Sequence, residues 1–183
     1  MATETEDGKL DDEELLSFCR LLLIAGNETT TGLITASARI FHEQPETLAR
    51  LKAQPELASS FVEEALRFYS PFSATVRRTT KSVEIAGQTI AAGELVVPLI
   101  ASANRDERVF DAADTFQIDR SPNQHLGLGF GIHVCLGAHL ARLEGKIVAE
   151  QMAERYSSVT LTEPKTATVG ELGGPKQLNV VVS

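Results

Sequence analysis

The sequence predicts a mainly α-helical chain with small β-sheets, an α+β fold, on three observations. Apolar residues recur at helical spacing from Leu15 to Phe41, behind an acidic cap. The pattern changes to period two between Thr75 and Val97. A glycine-rich loop ending at Gly137 then feeds a second strongly helical stretch. At 183 residues, with 43% hydrophobic and 23% charged content, the chain is long enough to bury a core.

Residues 1–10 read as a flexible polar lead-in, and 11–183 as the folded part. Asp11 can cap the first helix, with Glu14 as its capping-box partner. That helix carries Leu15, Phe18, Leu22, Ile24, Leu33 and Ile34 towards Phe41, a long run for a globular helix. Pro45 opens a second, short helix at its first turn. A third carries Phe61, Val62, Ala65, Leu66 and Phe68 and stops before Pro71, which disfavours helical backbone in the residue preceding it.

Thr75 to Thr80, Val83 to Ile85, Thr89-Ile90 and Leu95 to Val97 read as short strands, with turns at Gly87-Gln88 and Ala92-Gly93. Ile100 to Asn104 reads as a short helix. Arg105 to Gln124 has no clear period, and so long an irregular stretch inside a compact domain points to function. A helix is predicted from Leu136 through Leu140, Leu143, Ile147 and Val148 to Met152, with strand signals at Val159 to Leu161 and Leu178 to Val182.

The net charge of −8 argues against a phosphate-binding surface, and hence against nucleic acid as a partner. No apolar run approaches the ~18–20 residues that cross a bilayer. The acidic first residues lack the apolar core of a secretory signal, so a cytoplasmic location is expected. In that compartment a disulfide between Cys19 and Cys135 is not expected, and Cys19, within an apolar run, reads as a small buried hydrophobe.

Four constellations carry chemistry. The first is His125-Leu-Gly-Leu-Gly-Phe-Gly-Ile-His133-Val-Cys135-Leu-Gly137. It delivers one cysteine to the start of a helix, where free N–H groups and the dipole favour a thiolate. Gly127, Gly129 and Gly131 let something flat or bulky approach the backbone. Such a thiolate suits a soft or redox-active metal. The glycines do not fit a dinucleotide or phosphate loop. One Cys and one His cannot complete a zinc tetrahedron without distant partners, so His133 and Cys135 could serve different parts of one large ligand. The plainer alternative is a glycine-rich turn holding a free cysteine.

The second is a polar notch in the long helix, Ala25-Gly26-Asn27-Glu28-Thr29-Thr30-Thr31-Gly32. Glycine and successive threonines weaken a helix interior. The functional reading is a helix opened where a small ligand sits, with Glu28 and Thr29 steering water and protons; a solvated face with an accidental glycine is the alternative. The third is Glu64-Ala-Leu-Arg67, which alone reads as a common surface pair, although Arg120 could join it as a buried network that orders the patternless stretch. The fourth is Arg77-Arg78, on opposite faces of a strand, one of which could meet an anionic group on a ligand.

These elements, in this order, together with Ala103-Asn104-Arg105-Asp106, resemble the C-terminal part of a soluble bacterial cytochrome P-450 from about Leu15 onward. The resemblance implies the corresponding part of that fold: long distal helix, Glu-x-x-Arg helix, short strands, meander, cysteine loop and following helix. It implies a haem-thiolate monooxygenase that inserts one oxygen atom from O2 into a small organic substrate. The implied cofactor is haem b, and the implied electron donor is of ferredoxin or flavodoxin type. Cys135 matches the proximal iron ligand, whose thiolate favours O–O cleavage. His133 and Arg77 match haem-propionate contacts. Ala25, Gly26 and Thr29 match the distal helix over the haem, and Leu128, Gly129 and Gly137 the loop beneath it. Glu28 and Thr29 match the acid–alcohol pair that delivers protons. Glu64, Arg67 and Arg120 match a buried structural network, and Phe72, Ala74 and Val76 a segment bordering substrate. Arg105, Arg108, Arg142 and Lys146 are candidates for a partner-docking patch.

Two departures accompany the resemblance. Leu128 stands where the family usually has phenylalanine, seven residues before the cysteine, which keeps an apolar cover without an aromatic face. The family chain is about twice as long, so the N-terminal half is expected to be absent. That leaves a truncated haem-binding fragment without turnover as the alternative function, and an exposed apolar stripe on the distal helix as a consequence.

Overall fold

The computed structural model describes residues 4–5, 8–162 and 178–183. Glu4–Thr5 (β1) and Gly8–Lys9 (β2) pair antiparallel within the polar lead-in. The first helix, α1, spans Asp12–Glu43. Its capping box is closed in both directions: Glu14 N–H donates to Asp11 Oδ1 at 2.8 Å, and Asp11 N–H to Glu14 Oε2 at 3.0 Å. Pro45 stands at the start of α2 (Pro45–Ala53), and a 3₁₀ turn at Pro55–Leu57 leads into α3 (Ala58–Phe68).

The core is where α5 (Ala138–Arg155) packs against α3, α2 and the second half of α1. Leu33, Ile40, Phe41, Leu51, Phe61 and Val62 are buried in it. Phe41 and Phe61 stack with ring centroids 5.0 Å apart, and Phe116 meets Phe61 edge-on at 5.8 Å. Gly145 lets α5 approach closely, since a Cβ there would stand 2.8 Å from Leu33 Cδ2 and 3.2 Å from Val62 Cγ2.

Among the described residues every sheet is two-stranded. Val83–Ile85 (β4) and Gln88–Ile90 (β5) form a hairpin whose turn residues are Ala86 and Gly87, with φ of 50° and 76°. The sequence places this turn one residue later; the pairing of Ile85 with Gln88 draws Gln88 into the strand. The predicted strand from Thr75 to Thr80 narrows to Arg77–Arg78 (β3), paired with Leu95–Val96 (β6). Beyond this pair lies Pro98, which can accept from Thr75 N–H but has no N–H to return. The short α4 covers Ile100–Ala103, and Val159–Leu161 (β7) pairs with Val180–Val182 (β8).

Two further expectations are corrected. Cys19 is exposed, not a buried hydrophobe, because the first half of α1 lies outside the core. The notch does not open α1: Thr29 Oγ1 donates to Ala25 O at 2.6 Å and Asn27 Nδ2 to Leu23 O at 2.8 Å, and the helix runs on unbroken.

Candidate functional site

The loop that carries Cys135 starts from a fixed point. Leu126 N–H donates to Asn104 Oδ1 at 2.7 Å, and the buried Asn104 side chain is itself tied to Ser70 Oγ at 2.8 Å. Gly127 lies so close to α3 that a Cβ there would come within 2.7 Å of Leu66 O. Gly129 and Gly131 take positive φ, 76° and 66°, which favours glycine, and a side chain on Gly129 would also strike His133 O at 2.8 Å. Cys135 N–H closes the loop onto Leu128 O at 2.8 Å. Leu128 packs against the core from below, in keeping with an aliphatic cover.

Cys135 is exposed and precedes the first residue of α5 by three positions. The sequence starts this helix at Leu136; in the structure Gly137 is its N-cap and a 3₁₀ turn at Gly131–His133 occupies the approach. The thiol is set among exposed apolar side chains, with Phe130 at 84%, Ile132 at 97% and Leu136 at 81% exposure. Among the described residues no group of three or more His, Cys, Asp or Glu could hold a metal ion. A single cysteine sulfur on a glycine-lined apolar surface fits a metal that brings its own remaining ligands, as a haem does, and does not fit a protein-built metal cage.

The notch on α1 is attached to the helix that follows the cysteine: Thr30 Oγ1 donates to Glu144 Oε2 at 3.2 Å. Ala25, Gly26 and Glu28 are exposed and Thr29 is half-buried, with open space beside Gly26. Arg77 is exposed, its guanidinium donating to Thr75 Oγ1 and Val76 O, each at 2.8 Å. His133 is exposed in its 3₁₀ turn, and Gly137 has open space where a side chain would project. Phe72 and Val76 are exposed and Ala74 half-buried, on a segment held by Ala101 N–H to Ser73 O and Thr75 N–H to Pro98 O.

Beneath this surface lies the network of Glu64, Arg67 and Arg120. It is not the surface pair that Glu-x-x-Arg alone suggests: both Glu64 and Arg67 are wholly buried, and Arg120 is 5% exposed. Glu64 receives Arg67 Nε at 2.7 Å and Nη2 at 2.8 Å, Arg120 Nε at 3.0 Å, Gln117 N–H at 2.9 Å and Asn123 Nδ2 at 3.0 Å. The arginines spend their other N–H groups on backbone carbonyls of Asn104, Asp111, Ala112, Ala113 and Thr115. All but that of Asn104 belong to the stretch without period, which is ordered by side-chain donors in place of a ladder.

Sequence reasoning missed Glu63, the neighbour of Glu64, and left His125 and Asn104 without roles. Arg142 donates to both oxygens of Glu63, at 2.7 and 3.0 Å, and His125 Nε2 lies 3.1 Å from Glu63 Oε2. Burial pushes the Glu63 carboxyl upward, but the hydrogen bonds of His125 and Arg142 and the charge of Arg142 outweigh it and hold the group at about 2. The signal available was a second acid beside the Glu-x-x-Arg pair. Arg105, Arg108 and Lys146, read with Arg142 as docking residues, are paired with Asp114, Asp106 and Glu150.

Comparison with known proteins gives concordant results. The family profile described as Cytochrome P450 matches residues 52–174. The chain is 45% identical over 158 residues to the biotin biosynthesis cytochrome P450 of Bacillus subtilis, covering 86% of this chain and 40% of that one. It is 38% identical to the beta-dihydromenaquinone-9 omega-hydroxylase of Mycobacterium bovis, covering 100% of this chain and 38% of that one. Among solved structures, CYP109E1 from Bacillus megaterium in complex with testosterone superposes with a TM-score of 0.89 at 41% identity, covering 97% of this chain and 50% of that one. The Bacillus subtilis 168 bacillaene polyketide synthase cytochrome P450 PksS gives 0.92 at 36% identity, with 99% and 48% covered. The chain therefore spans from about two fifths to half the length of these proteins. No helix among the described residues is long and apolar enough to cross a membrane.

Proposed function

This chain belongs to the cytochrome P450 family, and from that premise we propose that it is the haem-thiolate part of a monooxygenase. The overall reaction places one atom of O2 in a small organic substrate and reduces the other to water, with two electrons and two protons. The carrying observation is Cys135: a lone exposed thiol, backbone-anchored, on an apolar glycine-lined surface. Haem held there through the Cys135 sulfur would supply the oxygen-activating chemistry.

The chain's own residues divide the remaining work. His133 and Arg77 bind the propionates, Ala25, Gly26 and Gly137 leave room for a flat ring, and Leu128 and Gly129 form the loop beneath it. The Thr29 hydroxyl, resting on Ala25 O, and the exposed Glu28 carboxylate hold and pass protons. Phe72, Ala74 and Val76 present an apolar edge that favours an apolar substrate. Electrons come from a ferredoxin-type or flavodoxin-type donor, in a cytoplasmic setting. The solved relative in complex with testosterone supports an organic substrate of modest size.

The test is spectroscopic. The purified chain, given hemin, reductant and carbon monoxide, is expected to show the strongly red-shifted Soret band of thiolate-ligated haem, and Cys135→Ala to lack it. A histidine-type band in the parent chain overturns the reading. A second reading, a haem-binding part without turnover of its own, is favoured by the bare apolar first half of α1. Substrate oxidation coupled to electron consumption by the isolated chain would exclude it.

A further inference from the structure

We propose that Glu63, His125 and Arg142 form a clasp that positions the Cys135 loop, with Glu63 as the pin. His125 opens the loop and Arg142 lies on α5 beyond it, so the two bracket the cysteine in sequence. Both are fastened to one carboxylate on α3. Adjacent acids on this helix thus serve different tasks: Glu64 organises the irregular stretch from within, and Glu63 ties together the two ends of the loop.

The clasp fixes the state of its histidine. Gly127 N–H donates to His125 Nδ1 at 3.0 Å, so Nδ1 is an acceptor and the proton sits on Nε2, which donates to Glu63. The imidazole is 3% exposed, which shields these bonds from water. The bidentate Arg142 pair adds geometry that a single contact would not. Together with Leu126 N–H on Asn104 Oδ1, two successive amides at the start of the loop are held by side chains. The clasp rests on the haem reading only for its second readout below.

Amide hydrogen exchange on the haem-free chain tests the clasp directly. Arg142→Gln removes the outer half; His125→Asn keeps an acceptor where Nδ1 lies but no longer reaches Glu63. Each variant is expected to speed exchange of the loop amides at 126–135 about tenfold, the loss of one charge-assisted bond, with amides of α1 at 33–41 unchanged. With hemin bound, both variants are expected to surrender it faster to apomyoglobin. Unchanged loop exchange in either variant, or an equal rise throughout α1 and α3, overturns the clasp. A chain that takes up no hemin while its variants still loosen the loop sinks the haem reading and leaves the clasp standing.

Discussion

The two halves of α1 are parts of one unbroken helix with opposite surroundings. Leu33, Ile40 and Phe41 are each 1% exposed, whereas Leu23 and Ile24 stand at 67% and 63%. Both halves are apolar, so hydrophobicity alone does not separate them. The difference is that α2, α3, α5 and β7 cover the second half, and nothing among the described residues covers the first. One half is finished by this chain. The other stands open, as does the surface around Cys135. An apolar stripe of this kind stays in water only at a cost in aggregation.

The sharpest way to break this division is to remove one partner of the buried network. Arg67→Ala leaves Glu64 buried beside fewer donors and strands the carbonyls of residues 104 and 113. A loss of about 3–5 kcal/mol is expected, close to the whole stability of many domains, and urea denaturation measures it. Phe61→Ala, which empties the stacked aromatic centre, is expected to cost about 3–5 kcal/mol by transfer and cavity terms. Leu23→Ser on the bare half should change stability by no more than about 0.5 kcal/mol, while reducing self-association in light scattering.

Glycines sharpen the comparison further. Gly145→Ala drives a methyl against Leu33 and Val62 in the packed region, and about 1–3 kcal/mol of destabilisation is expected. Gly26→Ala meets nothing within 4 Å, and should stabilise the helix by about 0.5–1 kcal/mol while weakening hemin uptake if the ring lies there. An opposite sign at two helical glycines, read by thermal melting, confirms that one helix face is closed and the other open.

A further effect concerns pH. Glu63 has a folded value of about 2 against an ordinary 4.5, so the unfolded chain binds the proton more readily. Its contribution is fully present above about pH 4.5 and is lost as pH falls towards 2. Glu63→Gln is therefore expected to flatten the acid limb of the stability profile between those values, without moving the neutral plateau's slope.

Much of this was legible in residue order. The Asp11–Glu14 cap, Pro45 at a helix start and Pro71 as a stop are local devices, and they act as the sequence indicates. Cys135 in its glycine loop declared itself by residue type and spacing. The exposure of Cys19 was not legible, because an apolar run does not say which of its turns will find a partner. The order of residues 105–124 was legible in its donors, Arg67 and Arg120, but not in its acceptors, which are carbonyls that any sequence possesses. Glu63 looked like one more surface acid until His125 and Arg142 arrived from elsewhere in the chain.

By itself, the sequence determined what depends on neighbours a few residues apart: where helices begin and stop, which residues can turn, and which side chain can be a soft ligand. Tertiary structure decided what depends on pairs 37 to 79 residues apart: that Arg67 reaches Asn104, that Glu63 meets Arg142, that half of one helix is dry and half wet. The physical reason is range. Caps and turns are satisfied within one or two turns of backbone, whereas burial and a shared carboxylate exist only once distant segments have been brought together.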